Sequence, residues 1–571
     1  MPSARAAPPG PADGPAAPCG PQRLHGGDCA ATVSGAFRRT ARARPDAPFL
    51  RIPVSASAAW NDGRPYELRY GEALVRVEEL TAQYRLRGYG SGHRVALLLE
   101  NQPAFLLHYF ALNAAGASVV PLNPDYRAAE LEYVTGHSEA VLAVALDRHV
   151  ARLAAACRCP VVAPDRLDRL PDAPAIPGRL DRLSDTPAAP DGAGAECALL
   201  YTSGTTGQPK GCVLSNAYCL AMGLHYVTEG GMCEVREGGE RLITPLPLFH
   251  MNALVSSTMA MVLSEGCIVA LDRFHPASWW RDVAETGATI LHYLGVMPAI
   301  LLSQPDGEWD RRHAVRFGFG ANANPRDHQT FEARFGIPLI EAWAMTETGA
   351  GGAITASREP RHAGSRCIGW PRPGLEIRLV DEADRDVPDG QPGEALVRQA
   401  GPQPRAGFFS GYLKDEPATA HAWRGGWFHT GDVMRRGPDG QYHFVDRRKN
   451  IIRRAGENIA ALEVEAALLD HPAVRQIAVL AAPDPLRDEE VLACVVLQPG
   501  AAADAATAQG IQDWSLARLA YFKAPGYVAF VDALPTTATN KVQKVMLADL
   551  AADPLGGEHC FDLRQRKKRG A

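Results

Sequence analysis

Short apolar runs alternate with amphipathic stretches along most of this chain, from about residue 30 to residue 446. Residues 94–99 (RVALLL) form one such run, and 103–115 follow with an apolar face at helical spacing. The series continues with a strand-like run at 118–122, a helical pattern at 127–135 and another strand at 141–144. Runs of the same kind stand at 267–271, 289–294, 315–320 and 338–343. Strands interleaved with helices predict a mostly parallel sheet covered on both faces, because parallel neighbours need long crossovers and those crossovers pack as helices. Between 368 and 399 the chain changes character. There, IRLVDEADRDVPDGQPGEALVR reads as short strands joined by Asp/Gly/Pro turns, hence an antiparallel appendage.

A boundary falls near 445–450. Beyond it the pattern predicts a helix at 460–469, strands at 477–481 and 492–497, a helix at 511–521, a strand at 527–531 and a terminal helix from Lys544. The expected fold is α/β: a large N-terminal domain (29–446) of layered, mostly parallel sheets and helices with the antiparallel β appendage, then a small C-terminal α+β domain (447–553). The first 28 residues, rich in Pro, Ala and Gly, read as a disordered leader rather than a signal peptide. Residues 554–571 read as a basic tail.

Composition narrows the possibilities. A chain of 571 residues exceeds what one hydrophobic core usually serves, in keeping with two domains. Its 59 basic and 64 acidic residues nearly cancel, so nothing global draws it to nucleic acid or to an anionic membrane. No apolar run reaches transmembrane length, so no integral membrane association is expected. The 12 cysteines are scattered singly apart from Cys157 and Cys159, with no ligand-like spacing, which points to a reducing, cytoplasmic setting. One basic cluster stands out: Arg564, Arg566, Lys567, Lys568 and Arg569. It reads as a solvated, frayed terminus, with binding to anionic surfaces as the alternative.

The chemistry begins at YTSGTTGQPKG, residues 201–211, directly after an apolar run at 197–200. Backbone N–H groups freed by glycines, hydroxyl donors and one lysine together suit a polyphosphate. A plain Gly/Ser/Thr turn is the bland alternative. A Walker-type loop does not fit: Pro209 precedes Lys210 where glycine is needed, and Gly211 follows where Ser or Thr is needed.

Six further segments follow in order: PLPLFHMN (245–252), WAMTET (343–348), GEALV (393–397), WFHTGDV (427–433), RRKNIIRRAGENIAALEVE (447–465) and LPTTATNKVQK (534–544). Together with the loop, over roughly residues 30–550, they resemble the adenylate-forming (AMP-binding) superfamily and its acyl-CoA synthetases. The wording of FVDRRKNIIRRAGENI (444–459) with APDPLRDEE (482–490) is similar to the carnitine/crotonobetaine–CoA ligase group. The resemblance implies ATP-dependent activation of a carboxylate to an acyl adenylate, with Mg²⁺ and release of pyrophosphate, and then transfer to CoA. On this reading Thr202, Ser203, Gly204, Thr205, Thr206 and Gly207 hold the β- and γ-phosphates with Lys210. Glu347 ligates Mg²⁺, Thr346 meets the α-phosphate, Trp343 stacks on adenine, and Asp432 accepts the ribose hydroxyls. Arg447 pairs with ribose or phosphate. Lys541 is the adenylation lysine, brought in by a mobile C-terminal domain turning about Lys449.

Gly456 in RAGEN resembles the hairpin glycine past which a pantetheine thiol reaches the adenylate; a plain turn is the alternative. Arg453 and Arg454 offer charge to the CoA nucleotide or lie on a solvated strand edge. The acyl pocket is assigned to His250, Asn252, Tyr293, Gly295, Gly320 and Ala344, and the mixture of Asn252, His292, Tyr293 and Asn322 with Met and Trp suits a small or medium acid. His250 gates that pocket, orients the carboxylate, or packs against the phosphate loop. Four positions depart from the usual pattern: Trp343 for tyrosine, Ala344 for glycine, Asn450 for aspartate and Asn540 for glycine. The acceptor stays open between CoA, a separate carrier protein and an amine, and a catalytically silent nucleotide-binding homologue is a further reading. The oligomeric state is also open, a homodimer included.

Overall fold

The computed structural model describes residues 31–175, 192–202, 209–454, 457–484, 487–519, 521–537, 542–557 and 559–567. Two large sheets form the body. The first has eight strands in the order Ile354–Thr355, Leu339–Trp343, Phe317–Ala321, Ile290–Leu294, Arg241–Thr244, Cys267–Ala270, Pro48–Ile52 and Tyr66–Arg69. Its six inner strands run parallel, and only the two edge strands are antiparallel. Continuous burial of Cys267, Ile268, Val269 and Ala270 shows why such runs lack alternation: both faces are covered.

The second sheet has seven strands, ordered Gly411–Tyr412, Lys210–Ser215, Glu196–Thr202, Ser118–Pro121, Arg94–Leu98, Leu142–Ala145 and Val161–Val162. The buried helix Pro103–Ala115, opened by a proline and closed by left-handed Gly116, supplies one parallel crossover. At the other side the parallel pattern stops. Glu196–Thr202 turns straight back as Lys210–Ser215, an antiparallel hairpin in which Thr202 faces Lys210. Apolar burial on both arms (Cys197 to Leu200, Cys212 to Leu214) holds its register.

A five-stranded antiparallel sheet, Cys367–Gly369, Tyr442–Arg447, Phe428–Arg436, Pro392–Gln399 and Leu375–Val380, forms the expected appendage. The C-terminal unit has its own apolar cluster, built from residues between Ile452 and Leu563. Its strands are ordered Glu457–Ala460, Ile451–Arg454, Asp488–Leu497, Tyr527–Phe530 and Cys560–Asp562, with Val474–Asp484 also paired to Asp488–Leu497.

Three details differ from the pattern-based reading. The helix expected at 511–521 lies earlier, at Ala505–Leu516, started by Asp504, whose side chain accepts from Thr507 N–H. The terminal helix is brief, a 3-10 turn Lys544–Leu547 running into Ala548–Ala552. The tail as far as Lys567 is not a frayed terminus. Cys560–Asp562 pairs antiparallel with Tyr527–Phe530, and Leu563 is buried in the small core. Its cations find carboxylates: Arg564 on Asp484 at 2.9 Å, Arg566 on Asp513 at 2.9 Å and Lys567 on Glu490 at 2.6 Å. A basic cluster looks solvated when its acidic partners lie 50 to 80 positions away in sequence. Lys568 and Arg569 lie outside the described residues. No described helix is long and apolar enough to cross a membrane.

Candidate active site

The 196–215 hairpin places Lys210 at its mouth. Residues Ser203, Gly204, Thr205, Thr206 and Gly207 lie outside the described residues, but both anchors are visible. Thr202 is half-buried, its hydroxyl 3.9 Å from the Cys212 sulfur. Gly411–Tyr412 pairs along the hairpin's outer strand, which sets Tyr412 beside Lys210. The Lys210 ammonium lies 5.0 Å from the Tyr412 ring centroid and 3.6 Å from the Asp415 carboxylate. The ring face and the carboxylate both attract the cation, so Lys210 is held at the mouth instead of sweeping through solvent.

From the other side of its ring Tyr412 reaches the next segment, donating its hydroxyl to Glu347 Oε1 at 3.0 Å. The turn bearing Glu347 leaves the strand Leu339–Trp343 at its C-terminal end, where ligands of parallel sheets collect. Met345 N–H donates to Thr348 Oγ1 at 2.9 Å, and the Thr346 carbonyl accepts from the Tyr218 hydroxyl at 2.8 Å. Gly349, at φ +47°, closes the turn where a Cβ would strike the Tyr218 ring. Glu347 is 8% exposed. Burial pushes its carboxyl above the usual range; the Tyr412 hydrogen bond and Arg447 pull it back, and the nearby charge of Asp432 adds to the rise.

Asp432 is 2% exposed on the strand Phe428–Arg436, just after left-handed Gly431. The Trp343 indole N–H donates to Asp432 Oδ2 at 2.8 Å, and Arg447 Nε lies 3.2 Å from Oδ1. Trp343 is itself only 7% exposed, so its ring edge is engaged in orienting the carboxylate. Arg447 faces Asp432 across the strand pair. Three segments separated by tens of residues thus meet: the 196–215 hairpin, the turn 343–348 and the strands carrying Asp432 and Arg447.

Arg447 opens into the 3-10 turn Arg448–Asn450, which contains Lys449. Asp446, fully buried, accepts from Arg447 N–H at 2.7 Å and Asn450 Nδ2 at 3.1 Å through Oδ1, and from Leu462 N–H at 2.9 Å through Oδ2. That carboxylate therefore meets the start of the helix Ala461–Leu469, in the way acids cap helix N-termini. Asn450, unusual in the motif, has a partner here. Lys541 and Gly456 lie outside the described residues.

The residues assigned to the acyl pocket divide. The ring of exposed His250 is tilted against that of Phe249 with centroids 4.6 Å apart, and Asn252 begins a π-helical turn, Asn252–Ser257, of the kind often found at functional sites. Ala344 is exposed at the start of the 343–348 turn. Gly295 and Gly320 mark close approaches: a Cβ on Gly295 would lie 2.7 Å from the Asn322 carbonyl, and one on Gly320 would run into the Tyr293 carbonyl. Tyr293 is turned inward. Its hydroxyl donates to Glu341 at 2.7 Å, and the same buried carboxylate accepts the N–H groups of Asn322 at 2.7 Å and Ala323 at 2.9 Å. His292 beside it sits between the Ser257 and Tyr226 hydroxyls, each at 2.9 Å, and burial lowers its pKa to about 3, leaving a neutral ring.

Sequence reading missed Tyr412, Asp415, Tyr218 and Glu341. The only local trace was SGYLKDE (410–416), an aromatic, a cation and two acids in seven residues. Arg454 was read as a donor to nucleotide or as a solvated edge residue; it is 4% exposed and engaged with Glu490.

A parallel-sheet body, an antiparallel appendage and a small C-terminal α+β unit, with these segments at the strand ends, define the adenylate-forming class. The chain belongs to the AMP-binding enzyme family: residues 37–413 match that family, and 463–541 match the AMP-binding enzyme C-terminal domain. Among curated proteins it is 34% identical to a sulfoacetate–CoA ligase of Cupriavidus necator, covering 89% of this chain and 95% of the relative. A crotonobetaine/carnitine–CoA ligase of Citrobacter koseri is 28% identical over 85% of this chain and 93% of its own length. The solved structure of ATP-bound MatB from Rhodopseudomonas palustris superposes with a TM-score of 0.75 at 26% identity, over 91% of this chain and 99% of that one.

Proposed function

We propose that this protein activates a small or medium carboxylic acid with ATP, forming an acyl adenylate and pyrophosphate, and then passes the acyl group to CoA, releasing AMP. The observation that carries this reading is the convergence of Lys210, Tyr412, Glu347, Asp432, Trp343 and Arg447 through direct contacts. Asp432 presents two acceptor oxygens, as a pair of ribose hydroxyls requires. Lys210 and the loop it closes would neutralise the outer phosphates.

Glu347 suits Mg²⁺. Its burial penalises the ionised form, and a divalent cation alongside would offset that penalty. Among the described residues no group of three or more His, Cys, Asp or Glu is placed to hold a metal alone, so phosphate and water oxygens would complete the ligation. When bound, the ion would neutralise phosphate charge. Thr346 would contact the α-phosphate, and Lys541 would arrive on the C-terminal unit, with the division near residue 447 and rotation about Lys449 forming part of the same reading. Gly456 would admit the thiol of CoA. CoA-ligase activity in relatives of nearly full-length overlap supports that acceptor.

Carboxylate-dependent ATP–pyrophosphate exchange over an acid library, followed by CoA, tests the proposal. Exchange with CoA-dependent AMP release is expected. Acylation of an amine or carrier protein in place of CoA would redirect the second step, and no exchange with any acid would end the reading.

Trp343→Phe keeps a ring and removes the donor to Asp432. The expected result is a KM for ATP raised roughly tenfold, the scale of one hydrogen bond to a charged group. Exchange rates at varied ATP measure it, and an unchanged KM would leave Arg447 as sufficient to orient the carboxylate.

A further inference from the structure

A buried charged cluster away from the candidate active site joins the segment 560–567 to the strands Ile451–Arg454 and Glu457–Ala460. Glu490, on the strand Asp488–Leu497, is fully buried. Arg454 Nε lies 3.0 Å from its Oε1 and 2.9 Å from its Oε2. Lys567 Nζ donates to Oε1 at 2.6 Å and to the Phe522 carbonyl at 3.1 Å, with its side chain wholly buried. The Val491 N–H also donates to Oε1, at 2.9 Å. A Cβ on Gly526 would collide with the Glu490 side chain, so the chain leaves room for this carboxylate.

Among the described side chains in direct contact, two cations share one carboxylate. Arg454 and Glu490 by themselves make a neutral pair, and buried charge is costly beyond that. Lys567 is nevertheless driven into the same pocket. The segment delivering it is anchored three ways: Cys560–Asp562 pairs in the sheet, Leu563 packs in the core, and Arg564 and Arg566 hold Asp484 and Asp513. Burial lowers the Lys567 ammonium to about 8, and Glu490 counters that fall.

Arg454 is the last described residue of the strand Ile451–Arg454, which pairs with Glu457–Ala460, and its backbone also meets Asp488 in the sheet. Among the described side chains its guanidinium is therefore the tether nearest the hairpin turn. Glu490 can hold Arg454 through both oxygens only while its carboxylate plane is set, and Lys567, with Val491 N–H, sets it from the Oε1 side.

We propose that Lys567 is a positioning residue for the acceptor half-reaction, clamping the 451–460 hairpin through Glu490 and Arg454. This rests on the reading of that hairpin as the place where the acceptor thiol approaches. Lys567 makes none of the contacts that join Lys210, Tyr412, Glu347, Asp432, Trp343 and Arg447, and its loss leaves Glu490 paired with Arg454.

The test compares Lys567→Met and Lys567→Arg with the parent in the full chain. For Lys567→Met, pyrophosphate exchange is expected to be unchanged. CoA-dependent thioester formation from supplied acyl adenylate should fall about tenfold, the scale of one charged hydrogen bond, and amide hydrogen exchange at 451–460 should accelerate. Lys567→Arg should restore both. Equal loss of the two half-reactions, or no change in thioester formation and hairpin exchange, would overturn the proposal. If the parent forms no thioester, the assignment of the acceptor has failed instead, and hydrogen exchange alone then decides the clamp: acceleration confined to 451–460 supports it, and unchanged rates refute it.

Discussion

Lys541→Ala is expected to lower carboxylate-dependent ATP–pyrophosphate exchange by roughly 10²–10³-fold, while thioester formation from supplied acyl adenylate survives. Two anions, a carboxylate and the α-phosphate, must meet in the first step, and a cation aimed at the charge that develops there carries an effect of this size. The second step begins from an adenylate already made and does not need that cation. The segments on either side of residues 538–541 are well anchored: Thr536 bridges Val542, Gln543 N–H donates to the Pro535 carbonyl at 2.8 Å, and Lys544 pairs with Glu465 at 2.8 Å. Removing one side chain between such anchors should not unfold the C-terminal unit. The two half-reactions measured separately on one preparation decide the matter; equal loss in both would make Lys541 a structural lysine.

Glu347→Gln should separate activity from stability in opposite directions. Exchange is expected to fall by about 10²-fold, because a neutral amide cannot supply the anionic ligand that a hard divalent ion prefers. Added Mg²⁺ should not restore it. Stability should hold or rise, since burial already pushes the Glu347 carboxyl up and the amide removes a charge from that setting. The amide oxygen still accepts from the Tyr412 hydroxyl, so the link to Lys210 remains. Thermal unfolding alongside exchange at graded Mg²⁺ provides the check. A variant that loses stability together with activity would show Glu347 to be a packing residue.

What was legible beforehand was local. The phosphate loop, WAMTET, WFHTGDV and NKVQK each concentrate their chemistry in a few consecutive residues, so their order alone pointed to the family. The strand runs at 95–99 and 267–271 were visible because burial on both faces leaves an unbroken apolar signature. The return strand Lys210–Ser215 was hidden inside the motif itself, where glycine and lysine mask a strand whose apolar burial starts only at Cys212. The tail misled for a different reason. Charged residues near a terminus are normally solvated, and only the fold reveals that Asp484, Glu490 and Asp513 wait for them.

Residue identities by themselves determined the class of chemistry here, because a polyphosphate loop, a carboxylate beside it and a distant lysine are chemical requirements that short motifs satisfy. They also determined the layered parallel body, through apolar periodicity. The tertiary structure alone decided how those parts are held. Trp343 orients Asp432, Tyr412 joins Lys210 to Glu347, Tyr293 turns to Glu341, and Lys567 reaches Arg454 through Glu490. Each contacting pair lies 36 or more positions apart in sequence. Contacts of that range are set by strand order and burial, which no local pattern encodes.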